Sequence, residues 1–139
     1  MSQLMSRESE AKMAERAKRL LEIKKRFFRR DVVESKVGGM FPISIVAEVL
    51  QILGEYQAHS ESHAARVHLA ALKLSDGALE KLRIQINAAT QDFRDVINPA
   101  ENPGIFSMRM GAWAALSDNE KEKLSNEDHD QYLNWIQEA

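Results

Sequence analysis

Glu55, His59 and His63 recur at four-residue intervals. On a continuous helix that spacing sets one carboxylate and two imidazoles on a single face, and these are ligand types for zinc or iron. No second ligand set stands out, and the His-Glu-x-x-His pattern that joins a zinc site to a general base is absent. The three residues read more simply as a polar, half-exposed face beside a helix break. His68 and His129 stand alone. There is no cysteine, which excludes disulfides, zinc–cysteine sites and thiol nucleophiles. "VGGMFP" lacks the Lys and Ser/Thr of a phosphate-binding loop, and no nucleophile elbow is present. Nothing here points to an enzyme, and no metal or other cofactor is expected.

Charge is the stronger signal. Residues 7 to 36 hold eleven Lys/Arg against six Asp/Glu, whereas residues 92 to 139 hold four against ten. Opposite ends of the chain therefore suit opposite partners, or each other across subunits. Within "KKRFFRR" no acid interrupts the bases until Asp31. Lys18, Lys25, Arg26, Arg29 and Arg30 lie on the arc away from the apolar residues, with Lys24 nearer its edge. Several bases on one side of a rigid element are what phosphate contacts require, so these five are the candidates for duplex DNA. The alternatives are a solvated helix face or a docking surface for the acidic tail.

The elements that position these residues are helices. The 139-residue chain reads as one soluble unit, with 44% hydrophobic and 29% charged residues. No apolar run reaches the roughly 18 residues of a membrane span, the opening is too charged for a secretion signal, and a cytoplasmic location is expected. Three prolines and six glycines leave long tracts for helices, and strand-type alternation is hard to find, so the expected class is all-α. The spacing predicts a first helix from about Ser6 to Lys36, with Met13, Ala17, Leu20, Leu21, Ile23, Phe27, Phe28 and Val32 on one broad face. Gly38 and Gly39 should stop it, and Pro42 should start the next. The two would then fold as an antiparallel hairpin closed at Gly39 to Pro42. The second helix carries Val46, Val49, Leu50, Leu53 and Tyr56, weakens at "HSESH" where a bend or break is expected, and resumes with Ala65, Leu69 and Leu72.

Ser75 or Asp76 is the expected N-cap of a third helix running to about Ile97. Its apolar residues Leu79, Leu82, Ile86, Ala89, Phe93 and Val96 are spaced 3, 4, 3, 4, 3, a coiled-coil seam. Leu79, Leu82, Ile86 and Phe93 are the oligomerisation candidates, an internal core being the other reading. "NPAENPG" should end that helix. The division expected is a helical core over 1–98 and an acidic, aromatic-containing helical segment over 99–139. That segment has two capping boxes, Ser117 with Glu120 and Ser125 with Asp128, announcing two short helices. Trp113, Tyr132 and Trp135 are its candidates for docking a protein partner, or else pack on the hairpin.

A charged helix, "AKRLLEIKKRFFRRDVVESKVGGMFP", a turn, and "ISIVAEVLQILGEY" followed by Ala/Leu-rich helices together resemble the small terminase subunits of lambda-like tailed phages. Gly39, Met40, Phe41 and Pro42 fit that family's Gly-x-apolar-apolar-Pro turn as it stands in this sequence, and Leu20, Leu21, Phe27 and Phe28 fit the apolar positions before it. The likeness covers about residues 8 to 97. Family members usually begin with a winged helix-turn-helix domain, and this chain starts directly at the long helix. The resemblance implies a non-catalytic, oligomeric DNA-packaging adaptor that touches DNA and recruits a packaging ATPase through its C-terminal part. The alternative is a small helical interaction protein with no DNA binding, such as a phage-borne inhibitor or regulator of a host complex.

Overall fold

A computed structural model describes residues 7 to 138. The chain is 83% helical and has no strand among the described residues, so the class is all-α. The helices are α1 (Arg7–Phe27), α2 (Arg30–Met40), α3 (Val46–Gly54), α4 (Glu61–Ser75), α5 (Leu79–Gln91), α6 (Arg94–Glu101), α7 (Pro103–Ser107), α8 (Met110–Ala114) and α9 (Asp118–Gln137), with a 3-10 turn at Ile43–Ile45.

α4 is the centre. Ala65, Val67, His68, Leu69, Ala70, Ala71, Leu72 and Ser75 are all buried, so it is covered on nearly every side. Its alanines let neighbours approach closely, and it packs against α2, α5 and α6. Ser60 caps its start by accepting from the His63 backbone N–H at 3.2 Å. Its end is a left-handed turn: Asp76 has φ 51° and Gly77 φ 78°. Asp76 is thus the C-cap of α4, and Ala78 is the N-cap of α5. The expected N-cap at Ser75 or Asp76 is corrected accordingly. Short polar Asp and Gly are the residues that tolerate this backbone. The Ser75 hydroxyl is turned inward and donates to the Leu72 carbonyl.

The long first helix is two helices, with Arg29 in extended conformation between them. A straight helix would turn Val33 about 120° away from Phe27. Both are buried, as are Lys36 and Val37, and the break at Phe28–Arg29 resets the phase so that all can face inward. The expected start at Ser6 lies outside the described residues. Gly38 and Gly39 do not stop α2, which runs on to Met40. Pro42 decides the end instead: it forces the preceding Phe41 into extended backbone at φ −126°, ψ 148°. Pro42 then precedes the 3-10 turn rather than opening an α-helix. The chain does break near "HSESH", with α3 ending at Gly54 and α4 starting at Glu61.

The heptad helix is also divided, at Asp92 and Phe93. Leu82, Ile86, Ala89 and Val96 lie in the chain's own core and Leu79 packs against it. Leu82 and Ile86 leave no surface for a second subunit, which corrects the oligomerisation seam; of those candidates only Phe93 is exposed. α6 runs through Pro99 to Glu101, so "NPAENPG" does not end the helix at Ile97 and a boundary at 98/99 falls inside an element. Tyr132 and Ile136 join the same core as Val37, Leu69 and Ile86. The tail is therefore part of the fold.

α9 is one helix, not two. The capping box of Ser117 and Glu120 is formed, but Ser125 lies mid-helix. Asp128 caps something else: its buried carboxylate accepts from the Gly104 and Ile105 N–H groups at 2.9 and 3.0 Å, fastening α7 to α9. A Cβ on Gly104 would stand 2.7 Å from that carboxylate and 3.0 Å from Leu124. Gly104→Ala should thus lower unfolding stability by about 1–3 kcal/mol. Asp128→Ala, which strands the two N–H groups, should cost a similar amount, read by urea denaturation. Gly111→Ala, with nothing within 4 Å, is the control.

Candidate nucleic-acid interface

Four of the basic residues sit where α1 ends and α2 begins, and Lys18 lies further up α1. Lys18, Lys25, Arg26, Arg29 and Arg30 are all exposed. They do not share one helix, since the break puts Arg29 and Arg30 after Lys25 and Arg26. The structure also supplies acids that the run itself lacks. Arg29 pairs with Asp31 at 3.1 Å and Arg30 with Glu34 at 3.1 Å, each partner at least half exposed. Such pairs contribute roughly 0–1 kcal/mol, so a phosphate can displace them at little cost. The Arg26 guanidinium lies 5.1 Å from the Phe27 ring centroid, which orients it along the junction. Lys18 and Lys25 make no ion pair among the described residues.

Beneath α1 runs a groove of about 400 Å³, bounded by Leu20, Leu21, Ile23 and Phe28 on one side and by His63, Arg66, His129 and Leu133 on the other. Its polar floor is an ion pair. Arg66 donates twice to Glu101, each at 2.7 Å, in the planar fork geometry that suits guanidinium and carboxylate. Glu101 is buried, and the Glu101 hydrogen bond raises the Arg66 pKa against the opposing effect of burial. The residues are 35 apart in sequence, and no spacing rule links them.

The break between α3 and α4 takes Glu55, His59 and His63 off any common helix face. Glu55 caps the end of α3, His59 lies in the connection and only His63 is helical. His63 Nε2 is 2.9 Å from the Tyr56 hydroxyl, and its ring meets Phe93 edge-on at 4.7 Å. No three of His, Asp or Glu are grouped to hold a metal among the described residues.

The docking candidates divide. Tyr132 is buried and stacks on Trp135 with centroids 5.8 Å apart, so it offers no surface to a partner. Trp135 is covered by the Lys36 ammonium, 4.3 Å from its ring centroid. Trp113 alone remains peripheral, with Lys121 5.5 Å from its ring centroid. Lys36 also donates to the Trp135 carbonyl and, at 3.2 Å, to that of Glu138. A cation thus meets the negative end of the α9 dipole. Burial lowers the Lys36 pKa, and Glu138 opposes the shift. Lys73 fastens the middle of α9, donating to Gln131 at 2.7 Å and to the Ala100 carbonyl at 2.6 Å.

His68, which carries no role in the sequence, fixes the α3–α4 connection. It is buried, and its Nε2–H donates to the Tyr56 carbonyl at 3.3 Å. Burial, more than the nearby charge of Arg30, lowers its pKa against the backbone hydrogen bonds that raise it. A neutral imidazole is therefore folded in, and the unfolded chain binds the extra proton below about pH 6.5. Stability should be full above that pH and fall as pH drops toward the lower folded value. In His68→Gln, which keeps a donor and cannot titrate, the slope between pH 7 and 5 in denaturation midpoints should shrink. The part due to His63, whose pKa is also lowered by burial and by Arg66 and His59, should remain. No family model matches the chain, and neither do the curated proteins or the solved structures.

Proposed function

We propose that this chain is a non-enzymatic, oligomeric DNA-binding adaptor in which Lys18, Lys25, Arg26, Arg29 and Arg30 hold duplex phosphates. The observation that carries this reading is the exposure of all five bases, Lys18 on α1 and the other four at the α1–α2 junction, with only weak surface pairs to displace. The contacts proposed are to the phosphate backbone, which carries no sequence information directly. The turn at Gly39 to Pro42 and the basic helix before it, which resemble small terminase subunits, support a packaging adaptor as the setting. The acidic surface of α9 suits a protein partner.

A second reading, a helical interaction protein without DNA binding, is favoured by a separate observation: α1 exposes Met13, Leu20 and Leu21 beside its bases. Salt separates the two readings. Fluorescence anisotropy with a labelled duplex should show affinity that falls steeply as salt rises, with the log–log slope changing by about 0.9 per phosphate contact. Reversing Lys25, Arg26, Arg29 and Arg30 to Glu should abolish binding with little change in helical circular dichroism. Wild-type protein that shows no salt-sensitive binding at about 50 mM salt hands the lead to the second reading.

A further inference from the structure

The apolar stripe of α1 overlies the groove beneath it. Leu20 and Leu21 both line that groove, with Ala17 before them and Leu133 of α9 opposite, yet they remain 47% and 51% exposed. A half-open cleft of about 400 Å³ with such walls has the size and character of a small-molecule site. Its polar end is also defined. Arg66 lies 5.6 Å from the Phe28 ring centroid, and Lys24, one turn before Phe28, lines the same end. From Lys24 back to Ala17 the wall runs about 10 Å, the length of an extended chain of about eight carbons.

Charge selects the head group. Among the described residues, the side chains that line the groove and are charged at about pH 8, where imidazole is neutral, are Lys24, Arg66 and Glu101. Glu101 is already matched, because both its oxygens accept from Arg66. That fork uses two of the five N–H groups of a guanidinium, and the Arg66 side chain is still 42% exposed. Lys24 is exposed and makes no ion pair among the described residues. One uncompensated positive charge thus stands at the end of an apolar wall, which a monoanion neutralises and a dianion overshoots. We infer that the groove binds a free medium-chain fatty acid, its carboxylate between Lys24 and Arg66 and its single hydrocarbon tail under Leu20 and Leu21. The tail covers apolar surface that the lone chain leaves to water. None of the five bases proposed for DNA lines the groove, so the site is separate from that face.

Isothermal titration calorimetry on the full chain with sodium decanoate at about pH 8 should show one saturable site with a dissociation constant of about 100 μM. Each methylene added from hexanoate to decanoate should tighten binding about two- to fourfold, and longer acids should gain little. Lys24→Glu should weaken decanoate binding about tenfold or more, and so should Leu20→Glu, which sets a like charge on the wall. Both positions are exposed, so helicity and denaturation midpoint should hold. Lys81→Glu, the same charge change at an exposed position of α5, should leave binding unchanged. Decyltrimethylammonium, with the same tail and the opposite head, should bind about tenfold more weakly or worse. No saturable binding at about 5 mM decanoate, far above the expected constant, overturns the proposal. So does equal affinity for the cationic amphiphile, or decanoate binding that Lys24→Glu leaves untouched, since either means unspecific adsorption to apolar surface. Co-sedimentation with phosphatidylserine vesicles in place of binding to the free acid also overturns it, because the surface would then serve a membrane. Should Leu20→Glu lose helicity, Lys24→Glu and the chain-length series decide. DNA is absent from every arm, so failure here leaves the DNA reading where it stands.

Discussion

The fold depends on how completely α4 is enclosed. A helix with Val67, Leu69, Ala70, Ala71 and Leu72 all fully buried cannot be covered by one neighbour. It obliges α2, α5 and α6 to surround it, and each concession elsewhere follows from that demand. The first helix breaks so that Val33 and Val37 face α4 while Phe27 stays inside. The left-handed Asp76–Gly77 corner starts α5 on its return. Arg66, at the rim of α4, carries charge that would be costly there unless matched, and Glu101 of α6 matches it with two short hydrogen bonds. Truncating either partner would leave the other with an unmet charge in a partly desolvated place.

α1 stands outside this arrangement. From Glu10 to Glu22 every residue is exposed, and Phe27 at the C-terminal end of the helix is buried in the body. An amphipathic helix in that position turns an apolar stripe toward the groove beneath it and a polar face rich in bases toward solvent. The two faces present different chemistry on opposite arcs. Its four acids, Glu8, Glu10, Glu15 and Glu22, are concentrated before the last turn, and this gives it direction.

The helical class was legible because it rests on local facts: uninterrupted periodicity, few glycines and prolines, and the Ser117–Glu120 cap. The weak stretch at "HSESH" was legible for the same reason. What could not be read was phase. On a straight helix Val33 falls about 120° from Phe27, so their common burial was hidden, and neither Gly nor Pro marks the break at Arg29. The glycines at 38 and 39 were misleading, because glycine permits a helix to end and Pro42 compels it. The seam of Leu82 and Ile86 was real as a pattern, but a heptad does not say whether its partner is in the same chain. Long-range fasteners left no trace: Arg66–Glu101, Asp128–Gly104 and the contacts of Lys36 join residues whose identities only the fold relates. The basic candidates were found by composition alone, and their pairing with Asp31 and Glu34 was missed because each acid lies downstream of the run.

The grip of Lys36 on the end of α9 also fixes an order of events during synthesis. Lys36 and Trp135 are 99 residues apart, so their meeting closes one of the largest loops in the molecule, and such non-local closures come late. α2 to α6 can gather around α4 as they emerge from the ribosome. Until α9 follows, the site that receives Tyr132, Trp135 and Ile136 stays open, an apolar surface bordered by two lysines. A nascent chain in that state is exposed to unwanted association, and the lysine charges at the border help keep it soluble until its own last helix arrives.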